Sequence, residues 1–295
     1  MSLFAASLPL RPAARRAERR ETRWRLLCLL PALAVVALLL LLPLGWLGGL
    51  SFAGADGRPT LAHYAHVFSD PAYARSFLLT LRMALVTTAV CAVAGYLLAY
   101  TMTMMPRWAV TLTLALVALP FWTSVLVRTY AWLVLLQNRG IVNNLLLKWG
   151  LLDAPVQWMH NPTGALIGMV HIMLPFMVFP LHAALQKVDP DHLRAAAAMG
   201  APPALAFWRV FFPQTLSGLA AGCVLVFVLS LGFYITPALL GGGRTIVMAI
   251  LIEHEVNSSM NWGAASALAL AFVAVVLGIF AVAGRVLSLE RLFQR

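Results

Sequence analysis

The sequence predicts an all-α integral membrane protein of six transmembrane helices, and three observations carry that expectation. The chain is 62% hydrophobic and only 11% charged, with a mean hydropathy of +0.87, whereas a soluble domain carries about 25% charged residues. The apolar residues gather into six runs, at about 26–50, 77–105, 110–136, 164–185, 216–239 and 264–287. Each is long enough for a bilayer core, which needs about 20 helical residues. Finally, the basic residues divide unequally between alternate connections, as the positive-inside rule requires of a multi-pass protein.

The elements follow in order. Residues 1–25 form a basic tail with Arg11, Arg15, Arg16, Arg19, Arg20, Arg23 and Arg25. That placement suits attraction to an anionic cytoplasmic leaflet and not a nucleic-acid groove, so membrane lipid is an expected partner and nucleic acid is not. Residues 26–76 hold the first helix and an outer loop; the helix is too long, and too poorly followed by a small-residue cleavage site, for a simple signal peptide. Residues 77–287 hold helices two to six, with a long connection at 188–212, and residues 288–295 form a second tail. With the N-terminus inside, the inner segments hold 14 of the 21 Lys and Arg residues. The outer side holds Arg58, Arg75, Arg139, Lys148 and Arg244, while Arg82 and Arg128 fall within spans. Both termini are therefore expected in the cytoplasm. Pro31, Pro43, Pro120, Pro175 and Pro180 interrupt or border spans, where neighbouring helices satisfy the freed carbonyls. Cys28, Cys91 and Cys223 lie far apart in apolar runs and read as small core residues, with no metal or disulfide spacing.

The connection 188–212 reads as two short helices. Asp189 suits an N-cap, Pro190 a first helical position and Asp191 the positive helix end. Residues 192–199 are Ala-rich, and Gly200 suits a left-handed cap. Pro202 and Pro203 permit a fresh start for an amphipathic helix at 205–212, with Trp208, Phe211 and Phe212 exposed and Pro213 closing it before the next span. Two readings are open: exposed aromatics covered by a protein partner, or an amphipathic loop lying on headgroups.

The pattern Arg194-Ala195-Ala196, three residues, Gly200, nine residues, Val210-Phe211-Phe212-Pro213 resembles the EAA loop of bacterial ABC importer permeases. That loop reads Glu-Ala-Ala, three residues, Gly, nine residues, Ile-x-Leu-Pro. The spacing matches at every fixed position; the departure in charge is Arg194, where the family usually carries Glu. Further along, residues 119–124 (Leu-Pro-Phe-Trp-Thr-Ser), Val127-Arg128-Thr129-Tyr130-Ala131-Trp132 and Gly140-Ile141-Val142-Asn143 look like the third-helix signature of spermidine/putrescine permeases of the B type. Residues 232–242, which begin Gly232-Phe233-Tyr234, and Trp262-Gly263-Ala264-Ala265-Ser266-Ala267 are similar to later segments of the same family. The resemblance spans residues 77–287. It implies a type I, MetI-like permease fold with a coupling helix that sits in a cleft of the ATPase. It also implies a second homologous permease, two copies of an ABC ATPase, an extracytoplasmic solute-binding protein and a place in the bacterial inner membrane. Polyamine import is the implied function, by alternating access, with helix one packed against the partner.

The chain has no Gly-rich phosphate loop, so ATP is expected to be used by a partner subunit and no cofactor by this one; no catalytic or metal-ligating residues are expected. Candidate pathway residues are Trp122, Arg128, Tyr130, Trp132, Phe233, Tyr234, Glu253 and Glu255. Arg128 is about 12 Å from the outer end of its span at the helical rise per residue. It is either a functional intramembrane charge or a side chain snorkelling outward. The aromatics offer faces to ammonium groups or form an interfacial belt. Glu253 and Glu255 either greet a cation or are solvated loop charges. His171 and His182 share one face of the fourth span, as a polar stripe or as helix–helix hydrogen-bonding groups. A stand-alone ion-coupled carrier is the alternative function, but neither internal repeats nor intramembrane acids are visible. An intramembrane enzyme lacks its Gly-x-Ser-x-Gly or His-Glu-x-x-His motif.

Overall fold

In the computed structural model, which describes residues 12–54 and 58–287, the chain is a bundle of helices, and among the described residues no β-strand forms. The ends of both predicted tails, residues 1–11 and 288–295, lie outside the described residues, as does Asp56. Five helices are long and apolar enough to cross a membrane, and a bent pair, Arg107–Trp122 with Val125–Leu135, makes a sixth candidate if it counts as one broken span.

The first helix, α1 (Pro12–Ser51), carries the apolar stretch Leu29–Ser51, whose hydrophobic side chains are largely uncovered. Within the chain it touches the last helix. The short α2 (Ala62–Ser69) leads into α3 (Pro71–Met102), which starts sharply because Asp70 accepts a hydrogen bond from the Ala72 amide at 2.8 Å and Pro71 occupies the first helical position.

The third span is not the single straight helix expected over 110–136. It divides into α4 (Arg107–Ala118), a 3₁₀ turn (Leu119–Trp122) and α5 (Val125–Leu135), and the two segments meet at 103°. Pro120 supplies the reason, since it has no N–H to give and its ring crowds the carbonyl four residues back. Thr123 and Ser124 then run extended before the helix restarts.

After α6 (Ile141–Lys148), α7 (Pro162–Leu185) forms the axis of the bundle, capped by Asn161 and flanked by α3 and α10 (Phe212–Leu231). It is the most buried of the spans. Small residues let its neighbours approach: a Cβ on Gly222 would sit 2.6 Å from the Met177 sulfur, and one on Gly95 2.7 Å from Met177 Cγ. Close approach of this kind holds membrane helices together by dispersion, because lipid gives them no hydrophobic drive to associate.

Between α7 and α10 lie α8 (Pro190–Ala198), α9 (Pro203–Ala206) and a π-helical turn (Phe207–Phe211). Pro213 does not close a separate helix, as the sequence led us to expect. The helix runs on from Pro203 to Leu231. The wide turn is the reason: the Phe212 amide bonds the Phe207 carbonyl, five residues back, which loosens the helix where Pro213 leaves a carbonyl without a partner.

The fifth span also ends earlier than expected, at Leu231 and not 239. The chain breaks at Gly232–Tyr234 and restarts as α11 (Ile235–Leu240), with Pro237 in its first turn, where amides have no intrahelical partner. Then α12 (Met248–Asn257) packs on α3 and on the last helix, α13 (Trp262–Leu287).

Candidate coupling and pathway sites

The 188–212 connection is built residue by residue as a rigid bend. Asp189 accepts from the Asp191 amide at 2.9 Å and Pro190 opens α8, as expected. At the other end Gly200 adopts φ +77°. Its amide bonds the Ala197 carbonyl (2.9 Å), and the Ala201 amide reaches the Ala196 carbonyl (3.0 Å). This pair of bonds is the Schellman arrangement, which requires a residue tolerant of the left-handed region.

The two faces of the loop differ. On the inner face Ala196 is buried, and Leu193 packs with Phe211, which is 8% exposed, against the lower ends of α3 and α7. Tyr100 of α3 meets Phe207 and Phe211 with ring centroids 5.4 and 5.6 Å away, and Tyr96 hydrogen-bonds Thr215 at 3.2 Å. A cavity of about 400 Å³ remains between Tyr100, Leu193, Ala197, Phe207 and Phe211. On the outer face stand Met199 (82% exposed), Trp208 (61% exposed) and Leu205. Of the three aromatics expected to be exposed, only Trp208 is; Phe211 is buried and Phe212 is half-buried against Trp208. Ala195 and Pro213 are exposed and Val210 half-buried. Arg194, at the position where the motif usually has an acid, pairs with its own Asp191 at 2.8 Å, both side chains well exposed. Such a pair contributes little stability.

The pathway candidates do not form one cluster. Trp132 and Phe233 do lie together, both against the core around Met169 and Leu240. The Trp132 indole N–H donates to His171 Nδ1 at 3.2 Å, the helix–helix hydrogen bond that was one reading of this histidine. His182 bonds Gln186, one turn along its own helix, at 3.0 Å. Trp122 (81% exposed) and Tyr130 (56% exposed) point away from the packed interior, and Tyr234 caps the break before α11, partly exposed.

Arg128 sits one turn past the elbow on α5. The 12 Å depth expected for it presumed a straight span, and the 103° bend removes that estimate. Glu253 and Glu255 are not loop charges: both lie on α12. Glu255 accepts from the Tyr73 hydroxyl at 3.0 Å and Glu253 from Asn257 at 2.9 Å.

Three features escaped the sequence reading. Thr129 and Thr236 share a buried hydrogen bond of 3.1 Å, joining α5 to α11. Phe121 packs on Phe176 (5.1 Å) and Phe179 (6.0 Å) inside the elbow. Asn143 is fully buried; its amide donates to the carbonyls of Gln137, Asn138 and Val156, and its oxygen accepts from Val156 N–H and Trp158 Nε1. Phe121, Thr129, Thr236 and Asn143 all stood inside quoted motifs, but nothing in those motifs told which of them would meet.

Residues 25–292 match the family model described as the binding-protein-dependent transport system inner membrane component. The spermidine/putrescine transport system permease protein PotB of Salmonella typhimurium (strain SL1344) is 36% identical over 232 residues, covering 78% of this chain and 80% of the relative. Among solved structures, a bacterial ABC transporter involved in the import of the acidic polysaccharide alginate superposes with a TM-score of 0.74 at 18% identity, over 95% of this chain and all of that one. The same transporter, in complex with an alginate pentasaccharide-bound periplasmic protein, gives 0.71 at 18% identity, over 91% of this chain and 95% of that one. At that identity the likeness concerns the fold.

Proposed function

Since this chain belongs to the family of binding-protein-dependent transport system inner membrane components, and is a multi-pass inner-membrane permease subunit of an ABC importer, we propose that its solute is a polyamine and that the 188–212 loop docks on the ATPase. The relative at 36% identity, named for spermidine and putrescine, supports the substrate. The observation that carries the docking role is the asymmetry of the loop: its inner face is fixed by a capped bend and an aromatic cluster, while Met199 and Trp208 remain uncovered outside. Exposed apolar groups on a rigid element fit a protein cleft.

On this reading Arg194, Ala195, Ala196, Gly200, Val210 and Pro213 belong to the coupling element. A second homologous permease completes the pathway, two ATPase copies hydrolyse ATP, and an extracytoplasmic binding protein delivers the solute. This chain contributes no cofactor. Both termini and the loop lie in the cytoplasm, the side favoured by the basic residues. Within this chain Trp132 and Phe233 offer aromatic faces for ammonium groups, an attraction of about 2 kcal/mol when desolvated.

The test is ATP-dependent uptake by proteoliposomes holding the whole complex, using labelled putrescine and spermidine with competing amino acids and sugars. Saturable polyamine uptake that only polyamines compete is expected. Uptake of a competing solute in preference overturns the substrate. Trp208→Ala should cut ATPase co-purification, because a desolvated tryptophan anchor is commonly worth about 2 kcal/mol or more. Undiminished co-purification overturns the docking role.

A further inference from the structure

Among the described residues, one cation on α5 has no partner. Arg128 is half-buried, its Nε is enclosed without a hydrogen-bond acceptor, and among the described residues no carboxylate pairs with the guanidinium. None can readily do so, because the spans hold no Asp or Glu at all. Of the outer acids, Asp70 is engaged by the Ala72 amide, Glu253 by Asn257 and Glu255 by Tyr73, while Asp153 stands exposed in the loop before α7. Burying an arginine without a counter-charge is costly, so such groups pair or reach water.

The surroundings say where the counter-charge lies. Arg128 borders the uncovered face of α5, formed by Val127, Tyr130, Ala131 and Val134, while the opposite face is closed by the Thr129–Thr236 bond. The adjoining α4 buries none of its residues. The elbow is therefore open on the side that carries the cation. A cationic solute would be repelled there and cannot supply the missing charge.

We infer that Arg128 is this chain's half of an ion pair across the interface with the second permease, which presents an aspartate or glutamate at the α5 elbow. The inference rests on the two-permease assembly proposed above.

The test uses the complete complex carrying Arg128→Lys, treated with a membrane-permeant carbodiimide, which joins an amine to an adjacent carboxylate as an amide with loss of water. The expected product is a covalent adduct between the two permeases, mapped by mass spectrometry to position 128 and a partner acid. An adduct within this chain, or none from a complex that retains both permeases, overturns the inference. Should the lysine variant fail to assemble, Arg128→Met gives a second reading. Recovery of the second permease should fall about tenfold or more, since one partner of a buried pair is left alone. Assembly at wild-type yield with only uptake lost overturns the inference and makes Arg128 a pathway group. Failure of the wild-type chain to bring down any second permease overturns the assembly itself, and the inference with it.

Discussion

Gly200 tests the coupling bend most directly, because the structure isolates one energetic cause. The residue sits at φ +77°, and a Cβ built there meets nothing within 4 Å. Any loss on substitution is therefore backbone conformational energy and not a clash. For an L-residue the left-handed region costs about 1–2 kcal/mol, and a β-branched residue lies at the upper end. A chain relaxing out of that region also gives up the two capping bonds from Gly200 and Ala201. A deficit of 1–2 kcal/mol lowers the bent-to-unbent ratio by a factor of about 5–30. Gly200→Val should therefore reduce ATPase co-purification and solute-stimulated ATP hydrolysis in proteoliposomes by up to that factor. Gly200→Asn, which tolerates the left-handed region, should stay within about twofold of the parent. The reasoning is refuted if the valine variant keeps both activities, or if asparagine does as much damage as valine.

Three further outcomes follow from the hydrogen bonds. Asn143→Asp turns three donated bonds into a carboxylate facing the carbonyls of Gln137, Asn138 and Val156; a loss of about 3 kcal/mol or more is expected, read as a lower melting temperature and faster proteolysis between residues 137 and 158. Thr80→Val removes the acceptor of the Met248 amide (2.9 Å) in a buried site, and should cost about 1–3 kcal/mol with faster amide exchange at Met248. The double change Glu253→Gln and Glu255→Gln keeps an oxygen to accept from Asn257 and Tyr73 but removes both charges. Polyamine uptake should slow several-fold at low ionic strength, and the deficit should shrink as salt screens beyond about 8 Å. Equal uptake at low salt would take these acids out of the path.

What the sequence made legible was whatever depends on local chemistry or length. Apolar run lengths located the spans, Asp189 and Pro190 announced the start of α8, and Gly200 announced its end; each is a short-range backbone rule, and each reappears in the structure. The misreadings of the third span and of the helix before Pro213 share one physical source. Proline tells that a helix must adjust, not how. Pro120 produces a 103° elbow, Pro175 stays inside α7, and Pro213 is absorbed by a π turn. The choice among these depends on what packs nearby, such as Phe121 on Phe176 or Phe207 on Tyr100, and those contacts join distant segments. The pathway candidates were harder still. A tryptophan in an apolar run looks the same whether it donates to a histidine, as Trp132 does, or faces outward, as Trp122 does.

The π turn at Phe207–Phe211 has a mechanical consequence. It keeps the docking segment and the fifth span in one continuous helix of 29 residues, Pro203–Leu231, about 43 Å long, with the loosened turn at Trp208 itself. A tilt of about 10° about Trp208, over the roughly 35 Å from there to Leu231, would swing the far end by about 6 Å. That end is where the chain breaks at Gly232 and Phe233, and Phe233 is wedged between the two largest packed clusters of the interior. A rocking of the docking end would thus be carried toward Phe233, which packs against both clusters.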